Sequence, residues 1–283
     1  MTSGKRAVLF LIFGLAVYGY GAEPASPGQA FYEKANSLLV AQKLPEALAA
    51  VDEALRRDPK LVPALTLKAK LAMAAYRLDV AHECLEQALA LDPRAAYAQF
   101  LYGMEAYLGN DLKEALPRFQ KARRLSPGDP RAALYLGLTV ESLGQPAEAL
   151  SLYEEAVRLD RVAAALHNES AHADTLLPGV RLLLLMGRLE ECERWTNEAL
   201  KLSPKSRDVH FEFARLLLRK NDAERAAVEG EAALGLSDGV VTDAAIHYLL
   251  IRAYRQCGKP DRAAVHAETI RVEESPAAGK PKI

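Results

Sequence analysis

The stretch AYAQFLYGMEAYLGNDLKEALPRFQKARRLSPGD, residues 96–129, runs directly into PRAALYLGLTVESLGQPAEALSLYEEAVRLDRVA, residues 130–163. Laid one on the other at a shift of 34, Gly103 falls on Gly137, Ala115 on Ala149, Phe119 on Tyr153 and Ala122 on Ala156. Working towards the N-terminus in the same step, Ala81 and Ala47 extend one ladder, and Ala88 and Ala54 extend another. Pro59, Pro93 and Pro127 form a third, in Arg57-Asp-Pro59, Leu91-Asp-Pro93 and Leu125-Ser-Pro127. One ladder could arise by chance in an alanine-rich chain; three in one register mark an internal repeat.

Each unit reads as two helices. In Phe119 to Leu125 and in Tyr153 to Leu159 the apolar residues recur at helical spacing and stop before a turn signal. Gly109-Asn-Asp-Leu112 and Gly144-Gln-Pro146 supply the turn between the helices. The closing proline cannot continue its helix and starts the next one. Ala35, Ala69, Gly103 and Gly137 occupy one position of the first helix. A small residue there lets helix axes approach to about 8–10 Å.

These residues resemble the tetratricopeptide-repeat family, a helix–turn–helix unit of 34 residues, with Leu136-Gly137, Gly144, Ala149, Tyr153 and Ala156 as its best-matched unit. The resemblance implies an all-α, right-handed superhelical solenoid of about seven repeats. Four regular units are expected within 29–161, at about 28–61, 62–95, 96–129 and 130–163. An insert of about nine residues lies within 162–172, because Cys192 and Ala199 follow Ala149 and Ala156 by 43. Three divergent repeats are expected over 173–271 and a disordered tail over 272–283. Val180 and Ile251 replace the small residue of the first helix, Gly230 fills no space in its helix, and Pro117 and Pro178 are expected to delay or kink theirs.

The 283 residues carry 36 Lys and Arg against 37 Asp and Glu, a net charge of −1, which excludes an electrostatic grip on nucleic acid by the whole chain. Lys5-Arg6 and the apolar run Ala7 to Tyr18 have the layout of a secretory signal peptide over 1–21, with a cut after Gly21. A linker over 22–28 follows. The expectation is a bacterial-type exported protein, periplasmic or secreted, the alternative being a membrane anchor formed by the uncleaved segment. Cys84, Cys192 and Cys257 offer no C-x-x-C pair and read as free thiols.

No phosphate loop, nucleophile elbow or H-E-x-x-H occurs, and His167 and His172 stand five apart, about 140° around a helix, a poor arrangement for one metal. No enzyme activity, cofactor or metal is expected. The resemblance implies that the first helix of each unit lines a concave face. One row there is Tyr32, Thr66, Phe100, Leu134, Leu177, Phe211 and Tyr248; one turn on lie Asn36, Lys70, Met104, Leu138, Arg181, Arg215 and Arg252. Tyr107 follows at the next turn. Apolar anchors are therefore expected at Phe100, Met104, Tyr107, Leu134 and Leu138. Recognition of an acidic segment is expected at Arg181, Arg215 and Arg252. The expected function is a scaffold that binds a protein or peptide partner in its groove; the alternative is a self-associating solenoid whose apolar stripe is a contact between copies.

Overall fold

The computed structural model describes residues 26–273. The expected signal peptide, most of the linker, and the tail beyond Glu273 lie outside the described residues. Among the described residues there are fourteen helices and no strand. The chain divides inside one helix, between Leu159 and Asp160, into two compact units.

The N-terminal unit contains α1 (Gln29–Val40), α2 (Leu44–Arg57), α3 (Val62–Ala74), α4 (Leu78–Leu91), α5 (Ala96–Leu108), α6 (Leu112–Leu125), α7 (Pro130–Ser142) and most of α8 (Pro146–His167). The C-terminal unit takes the end of α8 and then α9 (Ala173–Leu185), α10 (Leu189–Leu202), α11 (Arg207–Arg219), α12 (Ala223–Leu234), α13 (Asp243–Gln256) and α14 (Pro260–Glu273). Val272 and Glu273, expected in the tail, are the last residues of α14.

All seven helix pairs turn in three residues, 41–43 in the first and 257–259 in the last. The middle residue of every turn is left-handed: Gln42, Tyr76, Asn110, Gly144, Gly187, Asn221 and Gly258, with φ between 56° and 82°. Glycine and asparagine adopt that conformation cheaply; Gln42 and Tyr76 do so at a cost. Helix starts are capped where the sequence allows it. The Asp111, Ser206, Asp222 and Thr242 side chains each accept from the backbone N–H three residues on.

The small first-helix residues meet large second-helix ones. A Cβ added to Gly103 would lie 2.7 Å from the Phe119 ring, and one added to Gly137 2.6 Å from the Tyr153 ring. Phe119 and Tyr153 are accordingly fully buried. The C-terminal unit keeps this device one residue earlier in register, at Gly179 against the Trp195 ring. Gly230 does not leave an empty space either: a Cβ there would sit 2.7 Å from Leu250 Cδ2, so the glycine admits α13. Thr196, standing where the first units have an aromatic or aliphatic residue, is buried with its hydroxyl donating to the Cys192 carbonyl at 2.7 Å. Both prolines expected to disturb their helices, Pro117 and Pro178, lie inside continuous ones, α6 and α9.

Most of the insert is helix. The preceding second helices have 14 residues, whereas α8 has 22 and ends at left-handed Asn168, leaving only 168–172 as a loop. Buried Asp160 then fixes the start of α9, accepting from the His172 backbone N–H at 2.7 Å and meeting its ring Nδ1 at 2.8 Å.

Candidate functional site

In the N-terminal unit the expected anchor row does not form an exposed apolar face. Phe100, Met104 and Leu134 are 3 %, 0 % and 2 % exposed, while Tyr107 and Leu138 are half-buried. Gly103 brings α6 close to α5, and Phe100 then forms a three-ring cluster with Phe119 and Tyr135, centroids 5.4–5.9 Å apart. Of the side chains expected to receive a ligand, Phe100, Met104 and Leu134 are spent on the core. The self-association alternative relied on the same stripe, of which Tyr107 and Leu138 stay partly exposed.

The polar members of that face are drawn inwards too. Tyr32 and Asn36 are half-buried on α1. Thr66 is buried, donating to the Val62 carbonyl at 2.7 Å. Lys70 is buried, and its ammonium is pushed down to about 8, first by burial and then by the charge of Arg131. Arg131 lies over the Tyr97 and Phe100 rings, 4.9 and 5.5 Å from their centroids, and grips Asp129 through Nε and Nη2 at 2.9 and 2.6 Å.

The C-terminal unit keeps its charged row at the surface. Helix α9 packs on α11, and α11 on α13. Arg181 and Arg215 have side chains 40 % and 33 % exposed; Tyr248 is 56 % exposed, Arg252 is exposed and Phe211 half-buried. Leu177 is core, and its carbonyl accepts from Arg181 Nε at 3.3 Å. The residue that organises the row was not singled out in the sequence. Glu212, with a side chain 5 % exposed, accepts from Arg215 Nη1 at 2.6 Å and lies 3.7 Å from Arg181 Nε. Its one sequence signal is the i,i+3 spacing to Arg215. Its reach to Arg181 depends on how α9 and α11 pack.

Two further polar clusters belong to this unit. Asp208 accepts from the backbone N–H groups of Val240 and Val241, which fixes the loop before α13 and requires glycine at 239, where φ is 103°. Buried His247 and His266 face each other through Nδ1 at 2.9 Å, and His266 Nε2 and the Tyr254 hydroxyl both meet Glu231 Oε1. No group of three or more His, Cys, Asp or Glu among the described residues could hold a metal ion. His172 is tied to Asp160, not to a metal partner, and His167 is exposed.

A tetratricopeptide-repeat family model matches residues 66–130 and 105–165, a span that lies within α3–α8. Residues 66–165 belong to the tetratricopeptide-repeat family. No curated protein matches it by sequence. Solved structures share the fold of this repeat protein at low identity. PilW, a type IV pilus biogenesis factor, has a TM-score of 0.66 at 16 % identity, over 77 % of this chain and 96 % of its own. A tetratricopeptide-repeat protein from Parabacteroides merdae has 0.60 at 16 %, over 88 % and 94 %. A chain of the APC/C hetero-tetramer Cut9–Hcn1 has 0.61 at 18 %, over 85 % of this chain, which spans 45 % of that one. These likenesses show the architecture and nothing finer.

Proposed function

We propose that this repeat protein acts by holding another protein or peptide, without catalysis of its own, and that an acidic segment of the partner lies along the first-helix face of the C-terminal unit. The fold supports protein–protein interaction in general. The finer reading rests on one observation. Arg181, Arg215 and Arg252 stand one turn after Leu177, Phe211 and Tyr248 on helices that pack in sequence, and among the described residues no carboxylate lies within ion-pair distance of Arg252. Stacked helices set such groups about 10 Å apart, which suits acids at every third or fourth residue of an extended peptide. A fully engaged arginine contributes about 1.5–3 kcal/mol, and much less at a wet rim.

The test is capture of partners by the protein lacking its first 21 residues, identified by mass spectrometry, repeated with Arg252→Glu. A partner with an acidic segment whose binding falls at least about tenfold in the variant supports the reading; unchanged affinity in low salt overturns it. Lys5-Arg6 and the apolar segment after them support an exported location for this encounter. N-terminal sequencing from the native host checks that, and a chain beginning at Met1 or Thr2 counts against export.

A further inference from the structure

The acidic-partner reading leaves a conflict inside its own site. Two of the three arginines already have a carboxylate, and it belongs to this chain. Glu212 sits on α11, itself buried, and reaches both partly exposed guanidinium groups, Arg215 on its own helix and Arg181 across on α9. Each guanidinium has five N–H donors, more than Glu212 can use. With Glu212 ionised the three groups carry a net charge of +1; with Glu212 neutral they carry +2.

We propose that Glu212 is a built-in competitor of the partner's acidic groups: ionised, it holds Arg181 and Arg215, and when it takes up a proton both arginines pass to the partner, so that binding strengthens as the medium acidifies. The inference rests on the acidic-partner reading of the same face.

The surroundings of Glu212 set the direction. Burial pushes its carboxyl above the ordinary carboxylate range, and the charges of Arg215 and then Arg181 oppose that shift without cancelling it. Asp208 adds repulsion from the same helix. From α10 the nearby titratable group is Cys192, whose thiol burial pushes up to about 11 and so keeps neutral. None of the groups acting most strongly on Glu212 comes from α12 or α13. A glutamate on an extended peptide keeps its ordinary value of about 4.3. Between the raised value of Glu212 and about 4.3, the protein's acid is neutral while the partner's acids are still charged. In that window the partner faces no internal rival. Asp174, on α9, is also raised by burial first and then by Asp208, and it acts on Arg181, so the variant at 212 is what isolates the effect.

The experiment is fluorescence anisotropy with a short fluorescein-labelled peptide bearing glutamate at every third position, at about pH 7.5 and about pH 5.5. Wild type and Glu212→Gln are compared, with the glutamine version of the peptide as control. The expected result is a wild-type Kd at least about fivefold lower at the acidic pH, and a Glu212→Gln Kd that is low at both. A wild-type Kd that is unchanged or higher at the acidic pH overturns the inference while leaving the acidic-partner reading intact. So does a Glu212→Gln protein that binds more weakly than wild type near neutrality, because Glu212 would then be helping the arginines to bind. Absence of glutamate-dependent binding to either protein at either pH overturns both. A wild-type Kd that does not fall at the acidic pH decides against the inference even for a variant that folds poorly.

Discussion

The N-terminal and C-terminal units are made from the same helix pair and use its first-helix face in opposite ways. In the N-terminal unit Gly103 and Gly137 admit Phe119 and Tyr153 so closely that Phe100, Met104 and Leu134 are drawn into the core. In the C-terminal unit Arg181, Arg215 and Arg252 stand where Met104 and Leu138 stand in the N-terminal one, and they do not follow, because a guanidinium taken out of water without a partner is costly. They stay partly or fully exposed, Arg181 and Arg215 beside one buried carboxylate, Glu212, and Arg252 with none among the described residues. A repeat register therefore fixes which positions face the same way; side-chain chemistry decides whether that face is core or site.

Removing Phe119 should have the largest effect. Phe119→Ala empties a fully buried position shared by two other rings and should cost about 3–5 kcal/mol. The only tryptophan, Trp195, lies in the C-terminal unit, so its fluorescence follows that unit, while far-UV circular dichroism follows both. Urea unfolding of Phe119→Ala should move the dichroism transition more than the fluorescence one. Equal shifts in both probes would break the division into two units.

Arg215→Glu should come next. It sets a second carboxylate beside buried Glu212 and should cost about 2–3 kcal/mol, less than the about 3–5 kcal/mol of a fully buried pair because Arg215 is one-third exposed. Here the fluorescence transition should move. Arg252→Glu, on an exposed residue, should stay within about 0.5 kcal/mol of wild type. Arg215 is thus not the harmless face residue that the repeat pattern suggested, and Arg252 is the cleaner probe of binding.

Tyr76 sharpens the comparison of turns. Its counterpart in other pairs is Gly144 or Gly187, whereas Tyr76 is left-handed with φ 56° and about half exposed. Tyr76→Gly should stabilise the N-terminal unit by about 0.5–1 kcal/mol, relief of the left-handed strain being partly offset by glycine's freedom in the unfolded chain. A thermal melt that falls instead would assign the tyrosine ring a packing role.

The smallest effect is the pH dependence at the start of α9. The hydrogen bond to Asp160 holds His172 above its ordinary 6.5, with burial opposing. A histidine raised on folding contributes stability that is fully present below 6.5 and is lost as the pH rises through the folded value. Thermal melts between about pH 6 and about pH 8.5 should show a decline in wild type that Asp160→Asn lacks. Parallel curves for the two proteins would separate the clip from any titration of His172.

Much of the architecture was legible in the sequence because it is local. A helix pair with a three-residue turn is specified by apolar spacing, a small residue at the crossing and a residue able to turn left-handed, all within 34 positions. The ladders of Ala47, Ala54 and their counterparts are buried as that pattern requires. The insert was legible as a length and not as a shape, since nothing in Arg161 to His167 separates a longer helix from a loop until Asp160 is seen to hold His172. The shift of the small–large pair to Gly179 and Trp195 was likewise missed, because a one-residue change of register leaves the helix spacing intact. For the candidate site, the sequence placed Arg181, Arg215 and Arg252 in one row. It could not show that Glu212 lies beside two of them, nor that Phe100, Met104 and Leu134 are closed off. Both depend on how deeply neighbouring helices approach, and that depth is set by contacts between residues tens of positions apart, which no periodicity within one repeat encodes.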